Sequence, residues 1–90
     1  MAEYRLLIKP SALKELNAVD SKRDRQRIIN RIQALAGDPR PPKFDKMAGA
    51  ASLFRVRQGQ YRIVYAIDDT ARTVDVIKIG HRREVYRRNA

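Results

Sequence analysis

Between Glu3 and Lys9 the chain alternates, with Tyr4, Leu6 and Ile8 on one side and Arg5, Leu7 and Lys9 on the other. That two-residue period is a strand's, and Pro10 ends it. Beyond the proline the period lengthens. Ser11 is expected to cap a short helix through Asn17 that turns Leu13 and Leu16 inward, and Asp20 or Ser21 to cap a longer one. In the longer segment Ile28, Ile29, Ile32, Leu35 and Ala36 recur at helical spacing as a single apolar stripe, which must lie on something. Gly37 before Asp38-Pro39 predicts the stop, with the glycine in a left-handed cap. Arg40-Pro41-Pro42 then reads as a rigid extended connector.

After a loop through Ala48-Gly49-Ala50-Ala51 the pattern is strand-like as far as Ile79, broken at Gln58-Gly59 and at Asp68-Asp69-Thr70. Three strands in a meander result. With the first strand they make a four-stranded, mostly antiparallel sheet covered on one face by the two N-terminal helices, an α+β architecture. The last ten residues read either as a short C-terminal helix docked on the sheet or as a segment that orders on binding. Ninety residues support one thin core, so residues 1–90 are read as a single domain.

A two-residue turn at Gln58-Gly59 would set Arg57 opposite Gln60, Arg55 opposite Arg62 and Phe54 opposite Ile63. Arg55, Arg57 and Arg62 then share one face, while Phe54, Val56, Tyr61 and Ile63 point the other way. A three-residue loop would instead drive the Arg62 charge among Phe54 and Val56, where it is expensive. Like charges facing each other across strands cost on the order of 0.2–1 kcal/mol. Three converging arginines therefore invite an anion, and the guanidinium fork suits phosphate. Tyr61 and Tyr65 are expected in the core, and Asp68 and Asp69 in the turn.

Charge sharpens this. With 20 Lys+Arg against 10 Asp+Glu the formal charge is +10 and the pI about 10.7, which calls for an anionic partner: nucleic acid, ribosome or an acidic protein. Lys22, Arg23, Arg25, Arg27 and Arg31 crowd the second helix opposite its stripe, as a solvated face or as contacts to ribosomal RNA phosphates. No apolar run is long enough to span a membrane, and MAEYRLLIKP is too short and too soon interrupted for a signal peptide, so a cytoplasmic protein is expected. The absence of cysteine excludes disulfides, thiolate metal sites and cysteine nucleophiles, and one histidine among scattered acids gives no metal-ligand spacing. A chemistry without metal or cofactor is the expectation.

The blocks LFRVRQGQYRIVYAID at residues 53 to 68 and VIKIGHRREVY at residues 76 to 86, taken with the opening strand and the basic second helix, resemble the RelE family of toxins within the RelE/ParE superfamily. The resemblance extends over nearly the whole chain. It implies the toxin of a type II toxin–antitoxin system, an endoribonuclease that enters the ribosomal A site and cuts messenger RNA there. It also implies a cognate antitoxin that wraps and silences the toxin in a hetero-oligomer. Carried over residue by residue, Arg55 and Arg57 match two basic positions that are lysines in the best-known members. Arg62 matches an arginine that contacts the scissile phosphate. Arg82 matches one assigned to phosphate stabilisation or leaving-group protonation, and Tyr86 the tyrosine that positions the target nucleotide and its reactive hydroxyl. Arg83, Arg87 and Arg88 are expected to add electrostatic contacts to RNA.

These residue types suit the chemistry. RNA carries its own nucleophile, the 2′-hydroxyl, so alignment and charge stabilisation can supply most of the acceleration. An arginine at position 55 cannot act as the base a lysine might be. The proton acceptor is then sought in His81, whose ring type titrates near neutrality, followed by Tyr86 and Glu84. A ParE-like toxin that poisons DNA gyrase by binding, or a non-catalytic nucleic-acid-binding module, is the alternative. The arginine set with the C-terminal tyrosine favours the nuclease.

Overall fold

In the computed structural model the described residues are 3–41, 45–46 and 53–81. Pro10 both ends strand β1 (Arg5–Ile8) and starts helix α1 (Pro10–Asn17), because its fixed φ and missing N–H fit the first helical position. Lys9 is therefore the residue before the helix, without a side-chain cap, and Ser11 lies inside it rather than capping it. Leu16 is buried as expected, whereas Leu13 is 45% exposed. Helix α2 (Lys22–Gly37) is capped by Ser21, whose Oγ accepts the Asp24 N–H at 3.1 Å. Its stripe packs inward through Ile28, Ile32 and Leu35. Gly37 is the last helical residue and takes no left-handed φ; the chain leaves through an extended Asp38, whose carboxylate accepts the Arg40 N–H.

Strands β2 (Asp45–Lys46), β3 (Leu53–Gln58), β4 (Tyr61–Asp68) and β5 (Thr73–His81) complete a sheet ordered β1-β5-β4-β3-β2. The four expected strands are joined by a two-residue edge, β2, and only the β1–β5 pair is parallel. The expected loop at residues 48–51 and the expected C-terminal segment lie outside the described residues. The α+β reading, with two helices on one face of the sheet, is borne out.

The β3–β4 turn is Gly59-Gln60, one residue later than the pattern suggested. Gly59 has φ 61° at the first central position, as a type II′ turn requires. Each β3 residue consequently meets a β4 residue two further along, so Arg57 pairs with Arg62 and Arg55 with Val64. A shift of two preserves which side chains share a face. A Cβ at Gly59 would meet nothing within 4 Å, so Gly59→Ala should cost only the backbone strain, about 1–2 kcal/mol, read as a lower urea midpoint with unchanged slope.

The helices cover the face bearing Phe54, Val56, Ile63 and Tyr65. On β5 a bulge opposite Val64 and Tyr65 inserts Ile77 between the paired residues Val76 and Lys78. Val76 and Ile79, three apart, can thus both point into the core, at 0% and 1% exposure. Strand β1 pairs with β5 only as far as Val76. Past that point Glu15 of α1 takes over the β5 edge: its Oε1 accepts the Ile79 N–H at 3.1 Å, and its Oε2 pairs with Lys78 Nζ.

Asp68 shapes the β4–β5 turn by accepting the Ala71 N–H, but Asp69 does something else. It receives both nitrogens of the Arg40 fork, at 3.2 and 2.9 Å, and the Tyr4 hydroxyl at 2.6 Å, tying the connector after α2 to the sheet. The Arg40 and Tyr4 hydrogen bonds hold the Asp69 carboxyl down from its ordinary 3.8 to about 2. A depressed carboxyl stabilises the fold above its unfolded value and loses that contribution as the pH falls toward its folded one. Thermal melts between pH 4 and pH 2 should therefore show a steeper loss in the parent than in Asp69→Asn. Because the group is exposed, the difference should be small.

Candidate nucleic-acid interface

On the sheet face away from the helices, Arg57 of β3, Arg62 of β4 and Gly80 of β5 form one cross-strand row, and Arg55, Val64 and Lys78 the next. Opposite residues have Cα atoms about 4.5–5.5 Å apart, and residues two apart along a strand about 6.8 Å. The roots of the three arginines therefore lie within reach of a single phosphate. Their environments differ. Arg57 is exposed, Arg55 half-buried and Arg62 only 4% exposed. The glycine beside Arg62 adds no side chain to this row.

His81, the last described residue, faces the other way. It pairs with Tyr61, which alternates with the core residues Ile63 and Tyr65 and so lies on the helix side. The two rings meet edge-on, with centroids 5.6 Å apart and planes at 81°. They form one wall of a cleft of about 330 Å³, closed by Ile79 and Gly80 and, from α1 and the segment after it, by Glu15, Ala18 and Val19. Tyr61 is thus half-buried at a cleft mouth rather than a full core residue. Arg82, Arg83, Glu84, Tyr86, Arg87 and Arg88 lie outside the described residues. The structure brings Arg55, Arg57 and Arg62 together and sets His81 on the opposite face.

On α2, Lys22, Arg23 and Arg27 are exposed, as a solvated face requires. Arg25 is half-buried and donates to the Val19 carbonyl at 2.9 Å, pinning the α1–α2 connection that lines the cleft. Glu15 was not legible as a cleft residue, because its place depends on where β1 stops pairing. No helix among the described residues is long and apolar enough to cross a membrane.

The sequence model of the ParE toxin of type II toxin–antitoxin systems, parDE, matches residues 6–86. This chain belongs to that toxin family. The individual toxins it is similar to are of the RelE type. Toxin RelG of Mycobacterium tuberculosis is 45% identical over 38 residues, which are 42% of this chain and 44% of RelG. The match thus spans less than half the length of that curated relative. The solved likenesses run further. The archaeal RelE–RelB complex from Pyrococcus horikoshii superposes with a TM-score of 0.78 at 25% identity, covering 91% of this toxin and 97% of that chain. A mutant of E. coli toxin RelE in the free state gives 0.76 at 27% identity, covering 94% of this toxin and 92% of that chain.

Proposed function

We propose that this toxin is a metal-independent endoribonuclease that cleaves messenger RNA in the ribosomal A site and acts in the cytoplasm. A cognate antitoxin holds it silent in a hetero-oligomer; the solved RelE–RelB complex supports such a partner. The observation that carries the reading is the Arg57–Arg62 pair, with Arg55 beside it, on the sheet face away from the helices. Two guanidinium groups opposite each other across strands work against the sheet by a small amount. A phosphate between them reverses the sign of that interaction.

In this reading Arg62 and Arg57 hold the scissile phosphate, and Arg55 neutralises charge without moving a proton, because its guanidinium stays protonated. Arg82 stabilises the developing charge or protonates the leaving group, and Tyr86 stacks on the target base and orients its 2′-hydroxyl. Arg83, Arg87 and Arg88 extend the path for the RNA backbone. Because His81 turns to the helix side, the proton acceptor is assigned to Tyr86 or Glu84.

The test is to add purified toxin to translating ribosomes and map message ends by primer extension. Cuts within A-site codons, formed in the presence of chelator and lost in Arg82→Ala and Tyr86→Ala, are the expected result. The match to the ParE toxin model favours, as the second reading, the ParE-like alternative that poisons DNA gyrase by binding it. Supercoiling blocked at toxin concentrations that leave translated messages whole would replace the nuclease reading with that one.

A further inference from the structure

The geometry points to a guanine-binding subsite in the cleft between α1 and the ends of β4 and β5, on the helix side of the same strands that carry the arginines. It deepens the nuclease reading and rests on it for its substrate class, single-stranded RNA.

The cleft's volume of about 330 Å³ is at the lower end for small-ligand sites and suits one base with part of its sugar. Its walls are of two kinds. Tyr61 and His81, set edge to face, offer one ring surface for stacking, as proteins that read unpaired RNA bases commonly do. Opposite them Glu15 supplies a fixed acceptor. Its Oε1 takes the Ile79 N–H and its Oε2 the Lys78 ammonium, so the carboxylate is held in place from two sides. Each oxygen retains a further lone pair, and the side chain is 27% exposed where it borders the cleft. Two parallel acceptors match the N1–H and N2–H of guanine. Adenine and cytosine offer a single amino group beside an acceptor nitrogen, which the carboxylate repels, and uracil offers one N–H between two carbonyls. Of the four bases, guanine is the complement.

Gly80 links this cleft to the arginine row, since it borders the one and stands opposite Arg62 in the other. With no side chain at that position, only the Gly80 backbone separates a base in the cleft from the row that holds Arg62. His81 acts here as a substrate contact on the base side.

The purified chain titrated with guanosine 3′-monophosphate and with adenosine 3′-monophosphate, followed by NMR, tests this without relying on cleavage. Guanosine monophosphate should move the ring signals of Tyr61 and His81 and bind roughly tenfold tighter than the adenosine form, the scale of one bidentate base contact. Glu15→Gln, which turns one acceptor into a donor, should bring the two nucleotides to parity. Tyr61→Leu, which keeps apolar volume but removes the ring, should weaken both alike. Equal binding of the two nucleotides by the parent, or shifts at Arg55, Arg57 and Arg62 with Tyr61 and His81 unmoved, would overturn the subsite. The two readings fail separately. Guanine-selective binding by a chain that cuts no message keeps the subsite and removes the nuclease, whereas cleavage indifferent to guanine at every codon position does the reverse.

Discussion

An Arg62→Met toxin is expected to cut messenger RNA roughly 10²–10³-fold more slowly than the parent, the usual loss when one preorganised donor to a reacting oxyanion is removed. Methionine is chosen because Arg62 is 4% exposed: the substitution keeps an unbranched stem in that space and deletes the fork. The substitution also removes one of the two facing guanidinium groups at Arg57 and Arg62. Arg62→Lys should fall between, restoring charge without paired donors. Initial cleavage rates on programmed ribosomes, read beside urea denaturation of each variant, separate the two effects. Parental cleavage in Arg62→Met, or a rate loss that merely follows unfolding, would remove Arg62 from the phosphate site.

The second large effect concerns stability. Tyr65 is fully buried, and its hydroxyl donates to the Pro39 carbonyl at 2.7 Å, which docks the connector after α2 onto the sheet. Tyr65→Phe leaves that buried carbonyl without its donor and should cost about 1–3 kcal/mol, a large share of a small domain's total. Burial pushes the Tyr65 phenol up from 10.0 to about 12, against the opposing pull of Arg31 and Arg40. A raised value means that the folded protein keeps its proton longer than the unfolded chain. The stability is complete below about pH 10 and is lost as the pH rises toward 12. Denaturation midpoints taken at pH 7, 10 and 11.5 should therefore fall in the parent and fall less in Tyr65→Phe. Equal slopes would show that the alkaline sensitivity lies elsewhere.

How far the chain could be read in advance depended on which physical quantity each step required. The face carrying Arg55, Arg57 and Arg62 was legible because alternation decides it, and any even shift of register preserves it. The pairing itself was not, since moving the turn from Gln58-Gly59 to Gly59-Gln60 leaves the hydrophobic pattern unchanged; only the backbone demand for glycine at the first turn position selects it. The Ser11 cap gave way to Pro10, which fits the first helical turn better than serine fits before it. Leu13 lies at helical spacing from Leu16, yet α1 is too short and too near the sheet edge to bury both. The parallel placement of β1 beside β5, and Glu15's place on the β5 edge, are long-range facts that no local pattern carries. His81 lies on the opposite sheet face from Arg55, Arg57 and Arg62, because it falls one position past Gly80, which stands opposite Arg62, and neighbouring strand residues point to opposite faces.

That parallel pair also governs when the toxin comes into being. The first strand made, Arg5–Ile8, pairs in the sheet with Thr73–Val76, and Arg62 has no completed sheet around it until β5 has been synthesised. During translation α1 and α2 emerge before the sheet they pack on, and a pairing as distant in sequence as β1 with β5 closes late. The cross-strand row of Arg57, Arg62 and Gly80 is therefore assembled only once β5 has joined β4, among the last steps of the sheet's closure.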